Sequence, residues 1–292
     1  MSYVCQSMVA PLRRVIVKRP EEAFLDEAQV DAQWRTLGYL DRPDLARAGD
    51  EHRRFVSLLH EAGADVIPLP ADLRTGLDSL YTHDPVAAVT ERGVILARMG
   101  KEARRGETDA MADAFARLGI PVLGRIHEPG TIEGGDALWL DRQTVAVGRT
   151  YRTNADGIRQ FRTLLAPLDV EVIDVPLVHW DGPGAVLHLM SIISLLDDDL
   201  AVVYDRLLPI PFRELLLHRR VQMVSLPQEE YDSIGCNVLA VAPRRCLMLS
   251  GNPKTAQRLR QAGCEVQEFD GADICLKGSG GPTCLTRPVW RE

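Results

Sequence analysis

Residues 136–175, DALWLDRQTVAVGRTYRTNADGIRQFRTLLAPLDVEVIDV, contain two short apolar runs separated by a polar turn, then apolar residues at helix spacing, then a β-rich run. Read by periodicity, this is a strand–strand–helix–strand unit. The same ending, an amphipathic helix, a break and a strand, recurs at 52–69, 109–124, 157–175, 213–226 and 256–269. Paired strands joined by a polar turn precede four of these helices, at 85–98, 136–148, 189–204 and 237–249. A fixed period of this length marks a repeat architecture. The first strands begin near Asp84, Asp136, His188 and Asn237, and another begins at Cys284, giving spacings of 52, 52, 49 and 47 residues. The unit opened at Cys284 runs out at Glu292, and LRRVIVKRP (12–20) with 52–69 supplies what it lacks. The two ends of the chain therefore complete one unit, and the α/β fold expected is a closed five-bladed ββαβ propeller, one domain over 1–292 with pseudo-five-fold symmetry. A doubly wound sheet is the rival, but it expects βα alternation and a glycine-rich phosphate loop. Residues 20–50 fit no unit and read as a long loop, a lid insertion over one face or a surface excursion.

The chain has 292 residues, 46% hydrophobic and 26% charged, as a folded globular protein does. No run of about 20 apolar residues is present and the N-terminus lacks the charged and apolar regions of a signal peptide, so a cytoplasmic protein without membrane contact is expected. The six cysteines form no C-x-x-C pair, which points away from a zinc site or a disulfide framework; no metal or cofactor is implied. A net charge of −7 disfavours nucleic acid and suits a small cationic partner. Assembly into a homo-oligomer is left open.

Equivalent positions in a ring of repeats lie at equivalent radii, so Asp84, Asp136, His188, Asn237 and Cys284 should converge near one end of the axis. A thiol, an imidazole and carboxylates together are what nucleophilic thiol catalysis needs. Singly, each has a plainer reading. Cys284 in GSGGPTCLTRP could be a small buried hydrophobe beside a turn, and His188 in AVLHLMSII a satisfied core histidine. Glu133 and Asp136 in TIEGGDAL could be solvated turn residues, and Asp84 in LYTHDPVAAV a strand start before Pro85.

EGGDALWLDRQTVAVGRTYRTNADGI, HLMSIIS and the terminal GGPTCLTRP together resemble the guanidino-modifying pentein superfamily. Within it the chain is most similar to the dimethylarginine dimethylaminohydrolase family, rather than arginine deiminases or amidinotransferases. The resemblance spans nearly the whole chain and implies a five-fold ββαβ propeller. It implies Cys284 as nucleophile, His188 as general acid and base, Glu133 as its acidic partner and Asp84 as the grip on the guanidinium. Arg152, in YRTN, and Arg104, in EARRGE, resemble the arginines that hold a substrate α-carboxylate, although Arg98 and Arg105 lie close enough in sequence to share that part. Asp136 matches an acid with a structural role. Two positions depart from the pattern. Met190 stands where deiminases and amidinotransferases carry a second aspartate, and His83 where the hydrolases often carry an acid. A thioether cannot accept from an unsubstituted guanidinium, so either the substrate nitrogen is alkylated or Met190 points into the blade. The function implied is hydrolysis of C–N bonds in a linear amidine, N-methylated arginine to citrulline and alkylamine, through a covalent S-alkylthiouronium on Cys284. Arginine or guanidine deimination and amidino transfer are the neighbouring alternatives, and a non-catalytic propeller used for binding is the distant one.

Overall fold

In the computed structural model, which describes residues 2–292, the chain runs through β1 (Leu12–Lys18), α1 (Pro20–Ala23), α2 (Glu27–Leu37), α3 (Leu45–Glu61) and β2 (Asp65–Leu69). Three complete units follow: β3 (Val86–Thr90), β4 (Gly93–Leu96), α4 (Arg105–Arg117) and β5 (Val122–Arg125); β6 (Ala137–Asp141), β7 (Thr144–Arg149), α5 (Ala155–Leu165) and β8 (Glu171–Pro176); β9 (Ile193–Asp197), β10 (Leu200–Val203), α6 (Ile210–His218) and β11 (Gln222–Ser225). The last are β12 (Leu239–Ala242), β13 (Arg245–Leu249), α7 (Pro253–Gln261), β14 (Glu265–Phe269) and the terminal β15 (Arg287–Arg291). They make five three-stranded sheets, in each of which the first strand pairs antiparallel with the second and the second parallel with the third. The fifth sheet is shared by the two ends of the chain: β15 lies against β1, with Leu12 opposite Arg291, and β1 against β2.

The first strands of all five sheets face one another. Ala87, Ala137, Ile193, Leu239 and Arg287, one from each, line a central space of only about 20 Å³, so the axis is packed with side chains and is not a pore. The helices cover the outer faces of the sheets and are anchored by fully buried residues such as Phe55 on α3, Phe115 on α4, Phe161 on α5, Leu216 on α6 and Leu259 on α7. Asn154 caps α5 by accepting from the Gly157 amide at 2.8 Å, satisfying a donor that the first turn would otherwise orphan.

Residues 20–50 are not a loop. They hold α1, α2 and the first third of α3, because Asp26 and Asp44 accept from the amides of Gln29 and Arg47 to start two helices, and Gly38 stops α2 in the left-handed conformation at φ 83°. Glu and Asp content was therefore partly capping chemistry. The strand starts also differ from expectation. Asp84, Asp136, His188, Asn237 and Cys284 lie one to five residues before their strands, in turns that include the 3₁₀ segments Gly134–Asp136 and Leu189–Ser191. A turn frees these side chains to face the end of the axis, whereas a ladder position would alternate them.

Truncation after Thr286 removes β15, including the fully buried Val289, and exposes the edge of β1. The shortened chain should lose its cooperative thermal transition; a melting curve as sharp as that of the full chain would show that the ring does not depend on its closing strand.

Candidate active site

At the end of the axis where the five turns meet, a cavity of about 1030 Å³ is lined by Asp84, Arg104, Arg152, His188, Met190 and Cys284 among others. Glu133 lies behind this lining, fully buried. Its carboxylate accepts from His188 Nε2 at 2.8 Å and from the Lys101 amide at 3.0 Å, and its own amide donates to Thr153 Oγ1. Nearby Gly135 can only be glycine: a Cβ there would come within 2.5 Å of His188 Nδ1 and 3.0 Å of Asp84 Oδ1. That close approach accounts for the second glycine of TIEGGDAL. Asp136 holds the same corner from below, accepting from the Leu189 amide and the Thr150 hydroxyl, each at 2.9 Å, so its part is positional.

The electrostatics follow from burial. Desolvation alone would push the His188 imidazole down, but the carboxylates of Asp136, Asp84 and Glu133 outweigh it and raise it to about 9. The histidine is thus an imidazolium at neutral pH, equipped to give a proton. Burial likewise works to raise Asp84, yet Arg104 and His188 hold it well below the usual carboxylate range. Glu133 is also lowered: burial opposes ionisation, and the bond from His188 and the charge of Arg152 prevail. One oxygen or nitrogen from each of Asp84, Glu133 and His188 falls within a 4.8 Å group. A cation would find such a donor set attractive, and here the imidazolium is itself the cation between the two acids.

Cys284 is the partly exposed member of six free thiols; the other five are buried. Asn237 Nδ2 lies 3.3 Å from its Sγ, and Asn237 Oδ1 accepts from the Thr283 amide at 3.0 Å, so one amide side chain fixes both the thiol and its loop. A Cβ on Gly281 would run into that side chain, which gives the glycine-rich GSGGPTC its purpose. Burial, with Asp84 nearby, pushes the thiol up to about 11. The Cys284 thiol is therefore held neutral, and a positive charge placed beside it would lower it.

The two arginines differ. Arg152 is buried and makes one long ion pair, 3.6 Å to Glu133, leaving donors toward the cavity. Arg104 does not present the free fork expected from sequence. Its donors go to both oxygens of Glu107 at 2.9–3.2 Å, to Asp84 Oδ2 at 2.6 Å and to the carbonyls of Asp78 and Tyr81. It contributes charge to the cavity wall and orients Asp84. Met190 belongs to both places that the sequence left open, being 4% exposed within an apolar cluster with Leu189 and Ile192 while also lining the cavity. His83 is buried, donates from Nδ1 to the Thr286 carbonyl at 2.9 Å and is pushed by burial to about 3, so it is neutral and no substitute for an acid.

Three residues of the site escaped the sequence reading as functional groups. Asn237 had a signal, its place in the five-fold series, but an amide beside a thiol has no motif of its own. Lys101 and Asp78 had none. Lys101 Nζ donates at 2.6 Å both to Asp78 and to the Leu37 carbonyl at the end of α2, which ties the 20–50 segment to the cavity.

A family model described as N,N dimethylarginine dimethylhydrolase, eukaryotic, matches residues 20–291. The chain is 32% identical over 282 residues to N(G),N(G)-dimethylarginine dimethylaminohydrolase of Streptomyces coelicolor, covering 94% of this chain and 96% of that one. To the enzyme of the same name from Pseudomonas aeruginosa it is 28% identical over 275 residues, covering 94% and 98%. The solved structure of a cysteine-to-serine mutant of the Pseudomonas aeruginosa protein, complexed with citrulline, superposes with a TM-score of 0.77 at 27% identity over 94% of this chain and 98% of that one.

Because His188 is raised above its ordinary 6.5 in the fold, its stabilising contribution is fully present below pH 6.5 and is lost as pH rises through about 9. Histidine ¹H–¹⁵N spectra should show the His188 ring titrating near 9 in the wild type. Glu133→Gln should move that titration down by about a unit or more, since it removes the bonded counter-charge. A wild-type ring already neutral at pH 7 would overturn the charge assignment.

Proposed function

Since the chain belongs to the N,N dimethylarginine dimethylhydrolase family, we propose that it hydrolyses a guanidino substrate, N-methylated arginine foremost, to a ureido product and an alkylamine. The observation that carries this reading is the meeting of Cys284, the His188–Glu133 pair and Asp84 around one cavity. The guanidinium lies against Asp84 with its central carbon toward Cys284. Its positive charge offsets the negative surroundings that keep the thiol neutral, so binding releases the thiol proton to water and leaves a thiolate. The Sγ–C bond forms, His188 gives its proton to the departing nitrogen, and the C–N bond breaks, leaving an S-alkylthiouronium on Cys284. The now neutral imidazole takes one proton from water, whose oxygen bonds to the same carbon; the C–S bond breaks, the thiolate returns, and the remaining hydroxyl proton passes to solvent as the ureido carbonyl forms. Glu133 holds the ring in place through both halves.

Arg152 receives the substrate α-carboxylate, and the neighbouring charge of Arg104 adds to that wall. Met190 supplies an apolar surface where a second acid would serve an unsubstituted guanidinium, which supports an alkylated nitrogen over plain arginine. The six free thiols fit a reducing, cytoplasmic setting, and no helix among the described residues is long and apolar enough to cross a membrane.

Cys284→Ser should abolish turnover with the melting temperature retained, and intact-mass spectra of the wild type during turnover should show a substrate-derived adduct at Cys284; full activity in the serine variant sinks the nucleophile assignment. Arg152→Ala should weaken apparent binding of amino-acid guanidines by about 2–5 kcal/mol while sparing agmatine, which lacks the carboxylate. Equal losses for both would make Arg152 structural.

A further inference from the structure

Glu107 takes no part in the reaction described above, yet it is 4% exposed and bonded to a residue of the cavity wall. Arg104, which lines the cavity, donates to the two Glu107 oxygens at 2.9–3.2 Å and to Asp84 Oδ2 at 2.6 Å. One guanidinium thus serves two buried carboxylates. Taken alone, an Asp84–Arg104 pair would be neutral and would offer an incoming cation little.

The other charges paired at this end of the axis cancel. The His188 imidazolium and Arg152 stand against Glu133 and against Asp136, which burial pushes only to about 6, and Lys101 stands against Asp78 at 2.6 Å. Lys18 also faces Glu107, but it is lowered by burial, has Asp72 and Glu22 as further acidic neighbours and donates to Thr75 Oγ1 at 3.1 Å. Asp181 and Asp232 line the cavity as well. Both are exposed, where water screens them. The charge that tips the buried set to negative is therefore Glu107.

We propose that Glu107 is a positioning residue for guanidinium recognition: by sharing Arg104 with Asp84 it leaves Asp84 a negative charge to present to the substrate, without touching the substrate itself. This rests on the hydrolytic reading above, in which Asp84 holds the cation. Charge rather than shape is what the residue contributes, so a cationic and a neutral ligand of similar outline respond differently to its loss. Burial pushes Glu107 up to about 7 against the pull of Arg104, and the contribution therefore grows as pH rises through neutrality. The charged and titratable groups that face it are Arg104, Asp78, Asp84, Lys18 and the Tyr39 phenol.

The test measures dissociation constants of Nω-methyl-arginine, a cation, and citrulline, its neutral ureido counterpart, at about pH 8. The parent is Cys284→Ser, which binds without turnover, and it is compared with the same protein carrying Glu107→Gln or Glu107→Asp, beside melting temperatures. Glu107→Gln should weaken methylarginine about 10-fold and leave citrulline within about 2-fold, the scale of one unit charge acting through a partly polar interior. Glu107→Asp, which keeps the charge, should retain most of the methylarginine affinity. If the glutamine variant does not fold, the parent alone decides: its preference for methylarginine over citrulline should strengthen about 3-fold between about pH 6.5 and 8 as Glu107 ionises, and a flat ratio overturns the proposal. Parallel losses for both ligands, or an unchanged methylarginine constant in a folded glutamine variant, also overturn it, while methylarginine turnover by the wild type leaves the hydrolytic reading intact. Absence of ureido product from every guanidine, with neither ligand bound by the parent, overturns both.

Discussion

The antiparallel pairing of β15 with β1 joins the two ends of the chain, and the meeting of Cys284 with His188 and Asp84 around one cavity follows from it. Cys284 lies three residues before β15, whereas His188 and Glu133 come from the middle of the sequence. Only when the ring closes do the turns before the five first strands face a common axis. The same closure explains why the axis is packed below the site: the five inner strands leave about 20 Å³ between them, so the cavity has a floor rather than an opening through the molecule.

Around that floor, the buried charges of Asp84 and Glu133 are each answered by a partner. An isolated carboxylate at the depth of Asp84 or Glu133 would be protonated or would destabilise the fold. Arg104 answers Asp84 at 2.6 Å and is itself held by Glu107, while His188 answers Glu133 at 2.8 Å. The consequence is functional. Asp136, Asp84 and Glu133 keep the imidazole charged, while burial together with Asp84 keeps the Cys284 thiol neutral. In the proposed reaction a guanidinium supplies the missing positive charge where the thiolate forms. On that proposal recognition and activation are the same event, and a neutral urea of similar shape would not provoke it.

The walls above the floor divide the remaining work. Lys101 links Asp78 to the carbonyl end of α2, so helices inserted into the first unit become one side of the cavity. Across from them, the segment before His188 brings Trp180 against Tyr231. Both walls are additions to the repeat: the five-fold core places the chemistry, and the insertions shape what reaches it.

How much of this was legible follows from the kind of physics involved. Hydrophobic periodicity is local, and the spacing of strand pairs and helices repeats five times, so the propeller, its closure by the chain ends and the convergence of Asp84, Asp136, His188, Asn237 and Cys284 could be read from residue order. Motif order added Glu133 and Arg152. The helices of 20–50 were legible in principle, through Asp26, Asp44 and Gly38, but their acidic composition masked caps as loop residues. What periodicity cannot carry is which donor meets which acceptor across the ring. That Arg104 serves Asp84 and Glu107, that Asn237 holds Cys284 and that Lys101 clasps Asp78 depend on distances between turns far apart in sequence. The same holds for charge states. The types Cys, His and Glu were visible in the sequence by itself, but a neutral thiol beside an imidazolium is a property of burial and neighbouring charge, which come into existence only when the tertiary structure excludes water from the end of the axis.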